Sequence, residues 1–199
     1  LVSAIQSLSV NQCLMQNETL IAYRSKKSIP SDVILYEDNF MQISQLWHIF
    51  EYNDDCIKSD FKLITEGRIS ELISETNACT NPENIFLEEG AKVEHAILNA
   101  STGPIYLGKN AQIMEGSIVR GPLAMCENSV LKMGAKIYGA TTLGPYCKVG
   151  GEVNNSVFMG YSNKSHDGFL GNSVIGEWCN LGADTNNSNL KNNYAEVKL

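Results

Sequence analysis

Aliphatic residues recur every six positions through the middle of the chain. Eight successive positions at this spacing are all aliphatic: Leu107, Ile113, Val119, Met125, Leu131, Ile137, Leu143 and Val149. With about a quarter of residues being Ile, Leu, Val or Met, such a run arises by chance roughly once in 10⁵. A period of six differs from the 3.6 of a helix and the 2 of an isolated strand. It is typical of a parallel β-helix built from hexapeptide repeats. We therefore predict a mainly β fold of this kind.

Small residues follow most of these anchor residues at a distance of four. They are Ala111, Ser117, Ser129, Ala135, Thr141 and Cys147. Cys147 falls on one of these small inward positions of the repeat. We expect Cys147 to be buried there as a small apolar side chain.

The rhythm breaks after Val149 and resumes at Phe169, Ile175 and Leu181. The step from Val149 to Phe169 is twenty residues, two more than the eighteen of a three-strand repeat. The spacing predicts a short insertion within residues 150–168. Departures from a repeat commonly carry function, because insertions form loops.

Residues 1–82 lack the period. Short apolar runs predict strands over residues 19–23 and 33–36, and helical spacing predicts helices over 43–50 and 59–67. In the second of these helices we expect Phe61, Leu63 and Ile64 to be buried. Asn81-Pro82 indicates a boundary. We therefore expect a small α+β segment at 1–82, the tail of another domain or a connecting segment, followed by the β-helix at 83–199. We expect this β-helix to be truncated, because its last residues include no capping helix.

Composition and net charge restrict the classes of partner that the protein is expected to bind. The net charge of -7 argues against nucleic acid or an acidic membrane surface as the main partner. Six cysteines occur, none at metal-ligand spacing. Unpaired thiols without a signal peptide favour a reducing cytoplasm. We expect a cytoplasmic protein with no metal of its own.

His166 is the candidate catalytic residue. It lies between expected anchor residues, so it should face outward, in the polar run that contains Lys164 and Asp167. Asn180 follows one repeat later on nearly the same side. A neutral imidazole accepts a proton near neutral pH, which general base catalysis requires.

Residues 162–189, SNKSHDGFLGNSVIGEWCNLGADTNNSN, resemble the active-site segment of GlmU-type enzymes. These are bifunctional sugar nucleotidyltransferase/glucosamine-1-phosphate N-acetyltransferases that make UDP-N-acetylglucosamine. The shared pattern is a His, a following aromatic residue, Leu-Gly, one hexad and Asn-Leu-Gly-Ala. The run from GPIYLGKN to CKVGGEVNNSV resembles a divergent form of this family common in Bacteroidetes. The resemblance extends over about residues 84–199.

The resemblance implies a left-handed parallel β-helix that assembles as a homotrimer, with active sites between subunits. It also implies residue roles. His166 corresponds to the catalytic histidine, and Phe169 and Asn180 to sugar-contacting residues. Ala183 and Asn189 correspond to contacts with coenzyme A. Further candidates for binding the sugar phosphate are Lys148, Lys164 and Arg120. Phe169 in place of tyrosine, Asn155 in place of lysine and Leu190 in place of an aromatic residue depart from the family pattern.

The implied reaction is acetyl transfer from acetyl-CoA, as co-substrate, to the amine of an amino-sugar phosphate. A linked nucleotidyltransferase would use Mg²⁺. Two other hypotheses stay open. In one, the protein is a sugar-1-phosphate nucleotidyltransferase whose β-helix only oligomerises or regulates. In the other, the solenoid is non-enzymatic and binds a partner along a flat face.

Overall fold

The computed structural model describes residues 1–26 and 28–187. The protein is mainly β, and most of its strands are parallel, as predicted. The chain divides into two compact units, Leu1–Gln42 and Ile43–Leu199.

The first unit is a three-stranded sheet with one short helix. Its elements are α1 (Val2–Gln6), β1 (Gln12–Gln16), β2 (Thr19–Arg24) and β3 (Asp32–Leu35). β1 lies in the middle, antiparallel to β2 and parallel to β3. The sequence predicted β2 and β3 but not β1. The apolar residues of β1 are consecutive, so they lack the alternation that signals a strand.

Two helices open the second unit, α2 (His48–Glu51) and α3 (Asn53–Thr65). The predicted position of the second helix was therefore too late in the chain. The expected burial of Leu63 and Ile64 is also wrong, because α3 buries Asn53 and Ile57 instead, while Leu63 is 75% exposed. The Asn53 side-chain amide donates to the carbonyl of Ala140 at 2.8 Å and accepts from the Thr142 hydroxyl at 2.8 Å. The helix thus attaches to the strands through its first turn.

The described part of the second unit contains fifteen further strands, thirteen of which have only two or three residues. In chain order they are β4 (Ala78–Thr80), β5 (Ile85–Leu87), β6 (Lys92–Val93), β7 (Ile97–Asn99), β8 (Ile105–Leu107), β9 (Gln112–Ile113), β10 (Ile118–Arg120), β11 (Leu123–Met125), β12 (Val130–Leu131), β13 (Lys136–Tyr138), β14 (Thr141–Leu143), β15 (Lys148–Val149), β16 (Glu152–Phe158), β17 (Asn163–Lys164) and β18 (Phe169–Ile175).

From β4 to β16, each strand pairs in parallel with a strand one repeat further on. Leu131 pairs with Val149, eighteen residues later, and Met125 with Leu143. β16 pairs with both β13 and β14, so the larger sheet curls. The smaller sheet has five strands in the order β17-β15-β12-β9-β6. The six-residue period therefore predicted the strand spacing correctly.

The inward-facing residues form three columns. The first contains Leu87, Leu107, Met125, Leu143, Phe158 and Ile175. The second contains Val93, Ile113, Leu131, Val149 and Lys164. The third contains Cys79, Leu98, Val119, Ile137, Val153 and Leu170. The eight regular anchor residues are at most 2% exposed, and the six small residues after them, Cys147 included, are fully buried. The expected burial of Cys147 is confirmed.

The predicted insertion after Val149 is wrong, because the repeat there is shorter than eighteen residues, not longer. Val149 pairs with Lys164, only fifteen residues later, so this repeat is three residues short. The third-column residue is Leu170, whereas Phe169 pairs with Glu152 and is half-buried. The sequence concealed this register because a lysine occupies an aliphatic position.

Residues 43–82 belong to the same compact unit as the later strands. β4 already pairs in parallel with β7, ahead of the boundary predicted after Pro82. The units themselves separate at Gln42 and Ile43, because α3 and β4 contact the parallel strands. Among the described residues no helix is long and apolar enough to cross a membrane.

Candidate functional site

His166 lies in the four-residue corner between β17 and β18, which we name the His166 corner (residues 165–168). The side chain of His166 is exposed, in agreement with the predicted outward orientation. The residue before the corner, Lys164, faces the interior, and the residue after it, Phe169, lies on the outer surface. The corner therefore joins the narrow five-stranded sheet to the curled sheet.

Lys164 holds the corner from inside. It is 1% exposed, and its ammonium donates to the carbonyls of Gly150 at 3.0 Å, His166 at 3.1 Å and Gly168 at 2.8 Å. These contacts use all three ammonium hydrogens. The prediction that Lys164 binds substrate therefore conflicts with the structure. It lies at an inward position of the second column, where it fixes the backbone on both sides of Asp167.

Burial also changes the acid–base properties of Lys164. Desolvation lowers the pKa of its ammonium, and the nearby Asp167 carboxylate opposes this shift. Removal from water penalises the charged form of a lysine, whereas a neighbouring anion favours it. Desolvation is the larger of the two effects, so the pKa of Lys164 is lowered overall. The three carbonyl oxygens around the ammonium stabilise its charged form.

Gly168 allows the corner to pack on the next repeat. Its φ is +123°, and a Cβ there would lie 2.3 Å from the carbonyl oxygen of Thr185. Any side chain would therefore strain the backbone and displace this contact. The amide of the following residue, Phe169, donates to the Asn186 side chain at 2.7 Å. The corner is thus fixed on its inner side by Lys164 and on its outer side by the next repeat.

One face beside the corner brings together two of the predicted binding residues. Lys148 pairs with Asn163, which in turn pairs with Asn180. Lys148 and Asn180 are exposed, and Asn163 is half-buried. Because neighbouring strands are about 4.8 Å apart, the Lys148 and Asn180 backbones are about 10 Å apart. We name these three residues the amide column.

The other face beside the corner carries Phe169. A cavity of about 290 Å³ lies against it, and its lining includes Lys136, Glu152, Asp167, Phe169, Asp184 and Asn186. Lys136, Glu152 and Phe169 occupy register positions on consecutive strands. The cavity therefore combines one aromatic ring with one cation and three carboxylates.

Arg120 lies further along this face, in a larger cavity of about 660 Å³. This cavity shares Lys136 and Glu152 with the smaller one, so the two cavities adjoin. The Tyr138 hydroxyl also lines it and donates to Glu152 at 2.5 Å, which raises the pKa of that tyrosine. Arg120 and Lys136 together give this surface two cationic side chains.

Sequence reasoning missed Lys136 and Glu152. Each lies immediately before a third-column residue, Ile137 or Val153, and so faces outward at the same register as Phe169. Taking the position before each third-column residue would have identified Lys136. The same rule would not have identified Glu152 as the neighbour of Lys136, because the repeat that separates these two residues is shorter than eighteen residues.

The predicted contacts with coenzyme A divide between described and undescribed residues. Ala183 is exposed, one repeat after the His166 corner. Asn189 lies outside the described residues. No three His, Cys, Asp or Glu side chains cluster as a metal site in residues 1–26 and 28–187. The six cysteines all lie in these ranges, and no disulfide joins them.

This arrangement can support proton transfer beside a polar surface. An exposed imidazole projects from a backbone fixed on both sides, with amides and a lysine on one face and an aromatic cavity on the other. Such preorganisation is what a general base needs to meet a bound nucleophile.

No curated protein is similar enough to the chain to count as a relative. The sequence profile of one family matches residues 1–69, about a third of the 199 residues. That family is described as sugar nucleotidyl transferase. The match includes the whole first unit together with α2 and α3. It supports a transferase with a nucleotidyltransferase-related role.

Proposed function

We propose that the chain forms the acetyltransferase part of a bifunctional enzyme that also has sugar-1-phosphate nucleotidyltransferase activity. Its reaction is acetyl transfer from acetyl-CoA to the amine of an amino-sugar phosphate of the glucosamine-1-phosphate type, in UDP-N-acetylglucosamine synthesis. The observation that carries this proposal is the His166 corner, where an exposed histidine projects from a backbone that Lys164 fixes. The family match at residues 1–69 supports the nucleotidyltransferase half.

The proposal includes the complete architecture. The parallel strands form a left-handed parallel β-helix, three copies assemble as a homotrimer in the cytoplasm, and the substrates bind between copies. Eighteen-residue pairing in three inward columns supports the β-helix. A subunit boundary at the His166 corner would bring a second surface to the two faces beside it.

The chemistry assigns His166 as the general base. The substrate amine attacks the thioester carbonyl, forming the C–N bond, while the imidazole accepts a proton from the nitrogen. The C–S bond then breaks, and the thiolate of CoA leaves and receives that proton. Such proton transfer contributes on the order of 10²–10⁴-fold to the rate. A backbone N–H or amide near the thioester oxygen would stabilise the tetrahedral oxyanion.

The other residues have binding roles in this proposal. Asn180 and Phe169 contact the sugar, and its phosphate binds Lys148 on one face of the corner or Arg120 on the other. Ala183 and Asn189 contact CoA. Lys164 acts as a positioning residue, because its buried ammonium cannot reach a ligand. Acetyl transfer by this route requires no metal, whereas Mg²⁺ would neutralise phosphates in the linked nucleotidyl transfer.

The test is release of CoA from acetyl-CoA by the purified chain, measured with a panel of amino-sugar-1-phosphates. We expect release with glucosamine-1-phosphate or a close analogue, and a loss of at least 10²-fold in His166→Ala. Absence of release with every sugar, or a His166→Ala rate equal to that of the wild type, would overturn the proposal.

A second candidate function rests on the family match itself. That match names nucleotidyl transfer, and the burial of Lys164 removes one predicted substrate contact. In this alternative the β-helix only oligomerises or regulates. Sugar-nucleotide synthesis and acetyl transfer, assayed separately on the intact reading frame, discriminate the two functions. Synthesis without acetyl transfer would favour the alternative.

A further inference from the structure

Three aromatic side chains stack on consecutive repeats at the corner opposite the His166 corner of the narrow sheet. The Tyr146 and Tyr161 rings are 5.4 Å apart at an interplanar angle of 9°. The Tyr161 and Trp178 rings are 4.7 Å apart at 6°. We name these three residues the aromatic ladder. Tyr146 is 48% exposed, Tyr161 41% and Trp178 76%.

The backbone does not explain these aromatic residues. All three have φ between 52° and 59°, in the left-handed region. Asn110 and Asn128 hold the same turn position in the preceding repeats, at φ of 55° and 57°. Asparagine adopts this conformation readily, whereas a bulky residue there is a strained outlier. Strain of this kind concentrates at functional sites. The ladder therefore replaces the residue that suits the turn with rings that remain exposed.

The ladder lies beside the amide column. Lys148 and Asn180 each follow a ladder residue by two positions, and Asn163 follows Tyr161 in the same way. Two strand residues span about 7 Å. The surface thus presents a column of stacked aromatic rings next to one exposed cation, Lys148. The side-chain amides of Asn163 and Asn180 lie in the same column as Lys148, and His166 follows Asn163 by three residues.

We propose that the aromatic ladder binds the base of a phosphorylated nucleotide, with Lys148 near its phosphate. Base stacking on aromatic side chains tolerates any base, because every base has a π face. Charge complementarity favours a phosphate at Lys148 over a purely apolar partner. Trp178 provides the most exposed ring for the stacking contact.

Two sources share this chemistry, the adenine end of CoA and the uracil of a nucleotide sugar. Binding of the adenine of CoA would follow from the proposed acetyltransferase function. Binding of the uracil of a nucleotide sugar would follow from the proposed nucleotidyltransferase activity. The proposal that a nucleotide base stacks on the aromatic ladder depends on neither activity, since it follows from the ladder and Lys148 alone.

The test uses Trp178 as its own reporter. The chain has two tryptophans, so Trp47→Phe leaves Trp178 as the sole source of indole emission. The variant is titrated with adenosine 3′,5′-bisphosphate, with UDP, and with ribose 5-phosphate as the base-free control. We expect saturable quenching by at least one nucleotide and none by ribose 5-phosphate. Selectivity for adenosine bisphosphate would identify the CoA source, and selectivity for UDP the nucleotide-sugar source.

Two variants localise the binding. Calorimetry with the otherwise unmodified chain compares wild type with Trp178→Asn and Tyr161→Asn, which introduce the residue that earlier repeats carry at this turn. Losing the exposed Trp178 ring should weaken nucleotide binding about 5- to 150-fold. Tyr161→Asn should have a smaller effect, because Tyr146 and Trp178 already stack on the two faces of the Tyr161 ring. Tyr23→Asn, at an exposed tyrosine of the first unit, should leave the affinity unchanged.

Three results would overturn the inference: no binding of either nucleotide at millimolar concentration, equal binding of ribose 5-phosphate, or unchanged affinity in Trp178→Asn. His166→Ala keeps this inference separate from the proposed function. It should lose acetyl transfer and retain nucleotide binding, because His166 is not part of the ladder.

Discussion

The regular repeats up to Val149 and the short repeats after it use the same columns in different ways. In the regular repeats the eight anchor residues from Leu107 to Val149 are all aliphatic and at most 2% exposed. After Val149, the second column continues with Lys164, and the repeat loses three residues. The regular repeats stabilise the fold by burying apolar surface. The short repeat instead uses hydrogen bonds from a buried cation to fix one exposed corner.

This difference shows how the parallel strands accommodate a shortened repeat without changing the direction of their pairing. An aliphatic residue at position 164 would fill the column but would leave the carbonyls of Gly150, His166 and Gly168 without that donor. Buried carbonyls need hydrogen bonds. A lysine donates to three of them and so specifies the path of the backbone on both sides of Asp167.

The largest expected effect on stability is in the regular columns. Leu131→Ala removes a fully buried side chain from the second column, leaving a cavity between Ile113 and Val149. We expect the free energy of unfolding to fall by about 3–5 kcal/mol, measured by chemical denaturation. Ile113→Val, one repeat earlier, should cost about 1 kcal/mol. A loss below 1 kcal/mol for Leu131→Ala would contradict the described packing.

Lys164→Met should affect the site more than the fold. Methionine fills a similar volume but removes the three hydrogen bonds from the ammonium, and of these carbonyls the one of Gly168 still accepts from the Glu152 N–H at 3.1 Å. Each bond to a charged donor contributes about 1.5–3 kcal/mol, and relief of desolvation offsets part of their loss. We expect about 2 kcal/mol of destabilisation and at least a tenfold loss of acetyl transfer.

Lys148→Met, the matched control, changes an exposed lysine on the neighbouring strand and should alter stability by less than about 0.5 kcal/mol. The positioning role of Lys164 would be wrong if Lys164→Met retained the wild-type kcat at a saturating concentration of both substrates.

The stability of the wild type should rise with pH relative to Lys164→Met. Desolvation lowers the pKa of Lys164 below its ordinary value of 10.5. Between the lowered pKa and 10.5 the unfolded chain binds more protons than the folded chain, so raising the pH favours folding. Denaturation of both proteins from pH 7 to pH 10 measures the difference, in which titrations common to both cancel. A constant or falling difference would contradict the described burial.

The smallest expected effect is that of Trp178→Asn on stability. Asparagine relieves strain at a φ of 59°, while the stacking contact with Tyr161, worth about 0.5–1.5 kcal/mol, is lost. These effects oppose each other, so we expect a net change below about 1 kcal/mol by thermal denaturation. A much larger loss would show that the ladder is structural.

The sequence predicted the regular repeats well because aliphatic burial at a fixed period is a local signal. Ile137 and Leu143 could be placed from spacing alone. Lys164 could not, since its role depends on three carbonyls that only the folded backbone brings together. Placing the resumption of the period at Phe169 followed from the same error, because the true register has a charged residue, Lys164, at an inward position.

Within the candidate site, the exposure of His166 could be predicted from its position between anchor residues. Placing Lys148 and Asn180 in one column required the shortened repeat, which no pattern indicated. Arg120 lies in the same cavity as Lys136 and Glu152 because of how their strands pair. This proximity could not be predicted from the individual positions in the sequence.

The most direct test of the account compares two exposed turn histidines. His95 lies in the regular repeats and His166 in the short one, so His95→Asn and His166→Asn differ only in the region they change. Asparagine cannot accept the proton that the proposed reaction removes. We predict that His166→Asn loses at least 10²-fold in CoA release with glucosamine-1-phosphate, while His95→Asn retains the wild-type rate. Equal rates in the two variants would contradict the assignment of function to the His166 corner.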